Sequence, residues 1–583
     1  MWLKLKYTLL LLSIPLAGAA ISGDPGAVRG GAIVINKSEF PETFNVYINP
    51  SVDSSDVFNL VYDSLLDIDP DTLEFQPLIA KSWTISPDKK TYTFLLDKKA
   101  KWSDGVSITA RDVKFTYDVI MNTGNMTSVQ RIFYSRFEEP VIIDDHTIVF
   151  RAKFEHYLNF ANLSELNILP MHIYSGKDFN KSFNMELPCS SGPYCLTGVK
   201  EGRSYALSRS PDYWGKDLPN RAHMFNFDRI EYKVIRDNNV SFEAFKKGDY
   251  DIYTSAGPSQ ITPRRWFTET GGEQFQKNRI IKQKIYNHFI RGFRGLALNM
   301  RRPVFSDVRV RRALCMLLDR KTIIDKIMYG FESPVNSYWP GISDNPPLPY
   351  DPAAAKKLLI QAGYNKLDRD GYLVNKDGAR LVFTILSRQD EDSIKYLTLY
   401  VESCRLAGIK ADLELTSWAT LIKQIDEYKF DAVNIGWQSS IFDDPEQLWH
   451  SRHAEDTAGS NLPGFKNALI DRMIDSLSGI FSIGERDKII AGMDRIIYPD
   501  VPYILTWDYD FFPVFYKNEF GMPKTVVSKI GKAYYYNLDM QIISFWWLDP
   551  VKVKRLSEAQ KNGTALLPEP VEVHYDELAA KAR

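Results

Sequence analysis

Apolar positions recur along this chain with two spacings, two residues apart in short runs and three or four apart in longer ones. The stretch 293–320, FRGLALNMRRPVFSDVRVRRALCMLLDR, shows both in succession. Residues 295–300 form an apolar run of strand length, broken by Arg301, Arg302 and Pro303. Ser306 then has the chemistry of a helix cap, with Asp307 in the positively polarised first turn. Val310, Ala313, Leu314, Leu317 and Leu318 follow at helical spacing and predict one buried face. We read this stretch as the place where the chain crosses from one lobe to another, with a ligand held between the lobes.

Comparable patterns fill the flanks. After Gly31 a strand, a loop and a helix are predicted, with polar caps at 53–56 and a helical face of Val57, Leu60, Val61, Ser64 and Leu65. The loop 45–50, which holds Asn49, follows a strand, a position that often faces a cleft in α/β domains. Residues 81–85 turn at Ser86, Pro87 and Asp88 into the alternating run 91–96, a hairpin. A turn at 102–105 precedes Thr109 and Asp112, a capping box for a helix with Val113, Tyr117 and Ile120 on one face. The helix in 351–364 is capped by Asp351, has Pro352 at its first position and ends at Gly363. Strands at 380–386, 410–415 and 430–437 then alternate with helices at 392–407 and 418–428, which predicts layered α/β architecture. From Lys552 the chain is polar and mixed, and predicts a surface helix and a loose tail.

Length implies more than one domain, since 583 residues exceed what a single core usually holds. The balance of 72 basic and 73 acidic residues, net charge -1, argues against nucleic acid as a partner. Aromatic residues make up 13% of the chain, enough for large cores and for some rings lining a cleft. Lys4 and Lys6, the apolar run 7–16 and the small residues at 17–19 read as a secretory signal peptide cleaved after Ala19 or Ala20. That run is short for a bilayer span, which takes about 20 apolar residues. The mature protein is expected to be soluble in an oxidising compartment, where Cys189 and Cys195 are placed to pair or to remain free. Cys315 and Cys404 read as buried thiols. His450 and His453 suit either a metal on a helix or two capping histidines. No Cys or His run has zinc-site spacing, and neither a cofactor nor a metal is expected.

The segment LIAKSWTISPDKKTYTFLLDKKAKWSDGVSITARDVKFTYDVI resembles the signature of the extracellular solute-binding proteins of family 5, the oligopeptide, dipeptide and nickel receptors of ABC importers. SSGPYCLTGVKEGRSYALSRSPDYWGKDLP, DVRVRRAL and DPAAAKKLLIQAGY match it further along. NFDRIEYKVIRDNNVSFEAFKKGDYDI, NLPGFKN and FWWLDPVK resemble more narrowly the YejA-type branch of periplasmic peptide-binding proteins. The resemblance implies an α/β bilobal periplasmic-binding-protein fold (type II, cluster C-like) with an extra domain inserted in the first lobe. It implies a signal peptide at 1–20, lobe I in three parts at 21–69, 189–295 and 512–583, the extra domain at 70–188 and lobe II at 296–511. The second crossing falls near 509–516. The implied protein is monomeric. It captures an oligopeptide or peptide-like solute and delivers it to an ABC permease.

In such receptors a carboxylate just after a Gly-Trp pair anchors the ligand amine. Here Gly436 and Trp437 are present, but Ser440 stands where relatives place Asp, and Asp443 and Asp444 come later. Either aspartate takes over, or the ligand is not held by a free amine; capping of the next helix is the alternative role for Asp444. Trp418 resembles an aromatic cleft position, with core packing as the alternative. Arg291 and Arg294 flank the crossing and suit a ligand carboxylate or a lobe-bridging ion pair. Arg301, Arg309, Arg311 and Arg312 read as solvated or structural. An exported hydrolase using Asp443 and Asp444 is the competing class, but adjacent residues rarely set two carboxyls across a scissile bond. The same fold with an oligosaccharide, opine, haem or metal chelate as cargo is the third.

Overall fold

The computed structural model describes residues 23–49, 51–69, 74–254, 261–287, 291–438, 442, 444–524 and 538–575. The chain enters through β1 (Ala32–Lys37) and α1 (Val52–Val61). A four-stranded antiparallel sheet follows, built from β2 (Ala80–Ile85), β3 (Thr91–Leu96), β4 (Val141–Asp144) and β5 (Thr147–Arg151) in the order β2-β3-β5-β4. With it go α2 (Ala110–Met121), α3 (Tyr157–Ser164) and the short α4 (Met171–Tyr174). The expected hairpin is present, with Ile85 opposite Tyr92, and so is the capping box, in which Asp112 Oδ2 accepts from Thr109 N at 2.8 Å.

The chain then builds β6 (Tyr194–Lys200), β7 (Ser204–Arg209), β8 (Arg229–Val234), β9 (Ile252–Thr254), α5 (Pro263–Thr268) and β10 (Ile280–Tyr286). Next come β11 (Phe293–Leu298), α6 (Val308–Met316), α7 (Pro352–Gln361), β12 (Val382–Arg388), α8 (Glu391–Leu406), β13 (Lys410–Thr416), α9 (Trp418–Asp426) and β14 (Ala432–Trp437). The last part holds α10 (Ala468–Leu477), α11 (Ile483–Ile497), β15 (Tyr503–Leu505), β16 (Phe512–Lys517), α12 (Leu538–Phe545), α13 (Pro550–Asn562) and β17 (Glu572–His574).

Two larger sheets result. One has eight strands in the order β17-β10-β16-β9-β1-β8-β7-β6 and the other five in the order β13-β12-β14-β11-β15. The chain leaves the first sheet at β10 and joins the second at β11, then returns from β15 to β16. Two connections therefore join the sheets, 287–292 and 506–511. The four-stranded sheet shares its core with the eight-stranded one, since Tyr92 and Phe94 bury in one cluster with Ile33 and Ile35. It also reaches the other sheet's lobe: Tyr157 and Leu158 of α3 bury with Leu421, Trp449 and Ile490.

Four local expectations are corrected. The cap of α6 is Asp307, which accepts from Arg309 N at 2.8 Å, because Ser306 closes a 3-10 turn that precedes the helix. Helix α1 is capped by Ser51 and ends at Val61, so Ser64 and Leu65 lie beyond it. Asp56, read as a cap, is buried against Lys37 instead. The loose tail contains β17, which pairs in parallel with β10 as an edge strand.

Candidate functional site

Strands β12, β13 and β14 are mutually parallel and end at Arg388, Thr416 and Trp437. Strand β11 runs antiparallel to β14, with Phe293 opposite Trp437, so the chain enters this sheet at the carboxyl edge of its parallel strands. The same holds for the eight-stranded sheet. Strands β8 and β9 lie parallel to β1, and β16 pairs antiparallel with both β9 and β10, with Phe512 opposite Ile285. The chain thus leaves from the edge where β1, β8, β9 and β10 end. Two short connections tie the two carboxyl edges together, and ligands of open α/β sheets bind outside such edges.

Arg294 stands opposite Gly436 on this edge. A Cβ at Gly436 would lie 2.9 Å from Arg294 Cγ, so glycine lets the arginine lie across the neighbouring strand. The guanidinium is half-exposed, and its Nη2 is 3.5 Å from Asp508 Oδ1. Asp508 and, more weakly, Glu332 raise the pKa of Arg294. Glu332 is buried, and burial pushes its carboxyl up to about 7 against the pull of Arg294. Neither acid was singled out in the sequence. Asp508 lies one residue before the segment read as the second crossing, and Glu332 carries no local signal.

Trp437 donates from Nε1 to Tyr503 Oη at 2.9 Å, which fixes its ring between β14 and β15. Trp418 opens α9 just past the end of β13 and is 54% exposed, too open for a core ring. Asp444 caps the turn ahead of Trp449, accepting from Glu446 N at 3.1 Å, and burial raises its carboxyl. Arg291 is partly buried in the first connection. Asn49 donates to Glu42 Oε2 at 3.0 Å in the loop before α1. Ser440 and Asp443, the other positions considered for an amine anchor, lie outside the described residues.

Across the cleft, the end of β1 carries a buried ion cluster. Lys37 Nζ is 3.0 Å from Asp53, 3.4 Å from Asp56 and 3.6 Å from Asp539. Burial opposes the charge on Lys37, but these carboxylates prevail and its pKa is raised. Burial raises the carboxyls of Asp56, to about 7, and of Asp539, and Asp53 is the most exposed member of the cluster.

The lobes touch in several places. Arg264 of α5 is 3.4 Å from Glu391 at the start of α8. Phe75 stacks on Phe442 with centroids 5.4 Å apart and planes 3° from parallel. Tyr157 N donates to Ser478 O at 2.9 Å, and Arg486 covers the Tyr157 ring at 4.2 Å.

His450 and His453 are caps and ion-pair partners. His450 Nδ1 accepts from Arg452 N at 3.1 Å, and His453 bonds Asp456 at 2.7 Å and Glu446 at 3.2 Å. All four cysteines are free thiols. Cys189 Sγ faces Ser103 Oγ at 3.7 Å and Cys195 Sγ faces Ser190 Oγ at 3.0 Å, so the pairing held open in the sequence is not formed. Cys404 is buried as expected, while Cys315 is only partly so. Among the described residues no helix is long and apolar enough to cross a membrane.

Comparison with known proteins gives this geometry a setting. Residues 74–459 match the model of the bacterial extracellular solute-binding proteins, family 5. The chain is 27% identical to the uncharacterized protein YejA of Escherichia coli K12, over 93% of this chain and 92% of that protein. It is 26% identical to the oligopeptide-binding protein AppA of Bacillus subtilis, over 89% of this chain and 92% of AppA. The solved structure of AppA with a nonapeptide superposes with a TM-score of 0.68 at 24% identity, covering 90% of this chain and 100% of that one. The NikA structure from Brucella suis with Fe(III)-EDTA gives 0.71 at 20% identity, covering 85% and 97%. Sequence match and shared fold agree, and the chain belongs to the bacterial extracellular solute-binding proteins of family 5, in their YejA-type branch.

Proposed function

We propose that the protein is the substrate-binding receptor of an ABC importer and closes its two lobes on an oligopeptide or peptide-like solute. The observation that carries this reading is the meeting of two carboxyl sheet edges across two short connections, with a half-exposed Arg294 on one edge and an acidic cluster on the other. An extended peptide needs partners for a cationic end, an anionic end and a run of amide groups. Arg294 suits the carboxylate, because its always-charged fork binds both oxygens and Asp508 steadies it from one side. Asp53 and the aspartates near 443–444 supply negative charge for the amine. Trp418 offers an open ring for side chains of varied shape. Closure of rigid lobes on a guest is a hinge motion that leaves the cargo chemically unchanged. In this reading residues 1–20 direct export and are removed, the mature protein works as a monomer in the periplasm, and a membrane permease takes the cargo from it.

Native mass spectrometry of the purified protein tests the reading. Peptide masses, released on denaturation and exchanged by added peptides, are the expected result. Oligosaccharide or metal-chelate masses would replace the peptide cargo with another solute. Turnover of a peptide by the pure protein would replace the receptor with an enzyme.

A further inference from the structure

Away from the cleft, three side chains of metal-ligating type converge although the sequence separates them widely. Asp104, His172 and Cys189 each present one donor atom, and the three atoms lie within 4.8 Å of one another. Asp104 Oδ2 and His172 Nε2 are 2.7 Å apart. Cys189 is buried, whereas the other two reach the surface. Two spacings, 68 residues and 17, hide this set from any motif based on local pattern.

The surroundings hold the donors in place. Gly105 N donates to Trp102 O at 2.9 Å and Trp102 N to Val106 O at 2.8 Å, which closes the turn that carries Asp104. Val106 N occupies Asp104 Oδ1 at 3.0 Å and leaves Oδ2 to face His172. Met171 N, at the start of α4, is bonded to Asp112 Oδ1 at 3.1 Å, and the Trp102 ring lies 6.3 Å from the His172 ring. Ser103 N donates to Ser190 O at 2.7 Å and Ser190 N to Ser103 Oγ at 3.0 Å, pinning the Cys189 segment to the same turn. Outer bonds of this kind orient ligands in metal sites. An open groove lined by Lys98, Lys99, Lys101, Asp212 and Trp214 leads to Asp104 and gives solvent access.

We propose that Asp104, His172 and Cys189 bind one thiophilic divalent cation, zinc by donor type, through one carboxylate oxygen, one imidazole nitrogen and one thiolate. Zinc takes such N, O and S donors at about 2.0–2.3 Å in a tetrahedron, so the donors would stand about 3.3–3.8 Å apart. The Asp104–His172 pair has to open slightly as the ion replaces the shared proton, and Cys189 Sγ gives its proton to water. His172 binds as neutral imidazole, and water fills the fourth position. Carboxylate and thiolate together neutralise the ion, so the filled site adds no net charge beside the three lysines of the groove. The bound ion would join the turn after β3 to the segment that leads into β6, and would hold Cys189 away from oxidation.

Cobalt(II) and zinc(II) titration of the reduced full-length mature protein tests this. One equivalent of cobalt is expected to give a sulfur-to-metal charge-transfer band that zinc bleaches, and zinc is expected to raise the melting temperature. Cys189→Ser and His172→Gln are expected to lose the band, while Cys195→Ser keeps it. Circular dichroism of each variant verifies the fold, and peptide binding, which uses the distant cleft, stays at the wild-type level. Absence of the band in the wild type, or its survival in folded Cys189→Ser, overturns the proposal. So does a Cys189–Cys195 disulfide in protein isolated under alkylation without reductant.

Discussion

Arg294 shows how a single side chain is set up for a ligand. It pairs with a neighbour, Asp508, yet remains half in water, so a ligand carboxylate can reach the exposed side of its fork. A charge-assisted hydrogen bond contributes about 1.5–3 kcal/mol. Arg294→Gln is therefore expected to weaken binding of a peptide with a free carboxyl end by roughly tenfold or more, and to leave a C-terminally amidated peptide unaffected, in calorimetric titrations. Equal losses for both peptides would place the carboxylate elsewhere. Asp63 illustrates the opposite case, an acid sealed from water. Burial pushes its carboxyl from 3.8 up to about 7, although Arg221 and the Tyr213 hydroxyl, 3.0 Å from Oδ2, pull the other way. The folded state then holds a proton that the unfolded chain has released, so this stabilisation is complete below about pH 3.8 and is lost as pH rises through about 7. Melting temperature is expected to fall between pH 5 and pH 8, and Asp63→Asn to flatten that fall.

At the scale of elements, the parts legible in the sequence are those whose determinants are local. The capping box of α2, the Asp351-Pro352 start of α7 and the hairpin β2-β3 depend on residues within one turn of each other. Partners far along the chain were not legible. Asp56 looks like a cap until Lys37, 19 residues earlier, is brought beside it. The polar stretch 572–574 becomes a strand only because β10 offers it an edge. The site divides in the same way: the Gly-Trp end of β14 and the arginines of the crossing were visible, whereas Glu332 and Asp508 required the fold. Two element-level predictions follow from such distant contacts. Asp494, in α11, is fully buried and accepts from Tyr338 N at 2.9 Å and Asn345 Nδ2 at 2.6 Å. Asp494→Ala leaves two donors unsatisfied and is expected to cost about 2–4 kcal/mol in denaturant unfolding. A Cβ at Gly295 would stand 2.5 Å from Ile504 O, between β11 and β15. Gly295→Val is expected to destabilise the five-stranded sheet by more than about 2 kcal/mol, read the same way.

For the molecule as a whole, two of the contacts between the lobes bear on closure. The Phe75–Phe442 stack and the Arg264–Glu391 pair bridge the two bodies near the cleft. An exposed ion pair contributes about 0–1 kcal/mol, so the aromatic stack, with about 0.5–1.5 kcal/mol, is the stronger of the two. Removing it shifts the equilibrium toward the separated lobes without touching the guest. Phe442→Ala is expected to lower peptide affinity about two- to tenfold and to enlarge the radius of gyration of the peptide-free protein in small-angle scattering. An unchanged radius with unchanged affinity would assign closure to the α3 contact around Tyr157 instead.

The pairing of Gly295 with Leu505 has a consequence for how this chain is put together. In chain order β11 and β15 are the first and last strands of the five-stranded sheet, and they are bonded neighbours, so the roughly 210 residues from one to the other begin and end at one spot. Cut in the two connections, so that β11 and β15 leave with it, such a stretch is expected to behave as a cassette: a short Gly-Ser bridge takes its place, and the excised piece and the healed remainder each keep a whole sheet. Each is expected to melt as a separate cooperative unit in calorimetry.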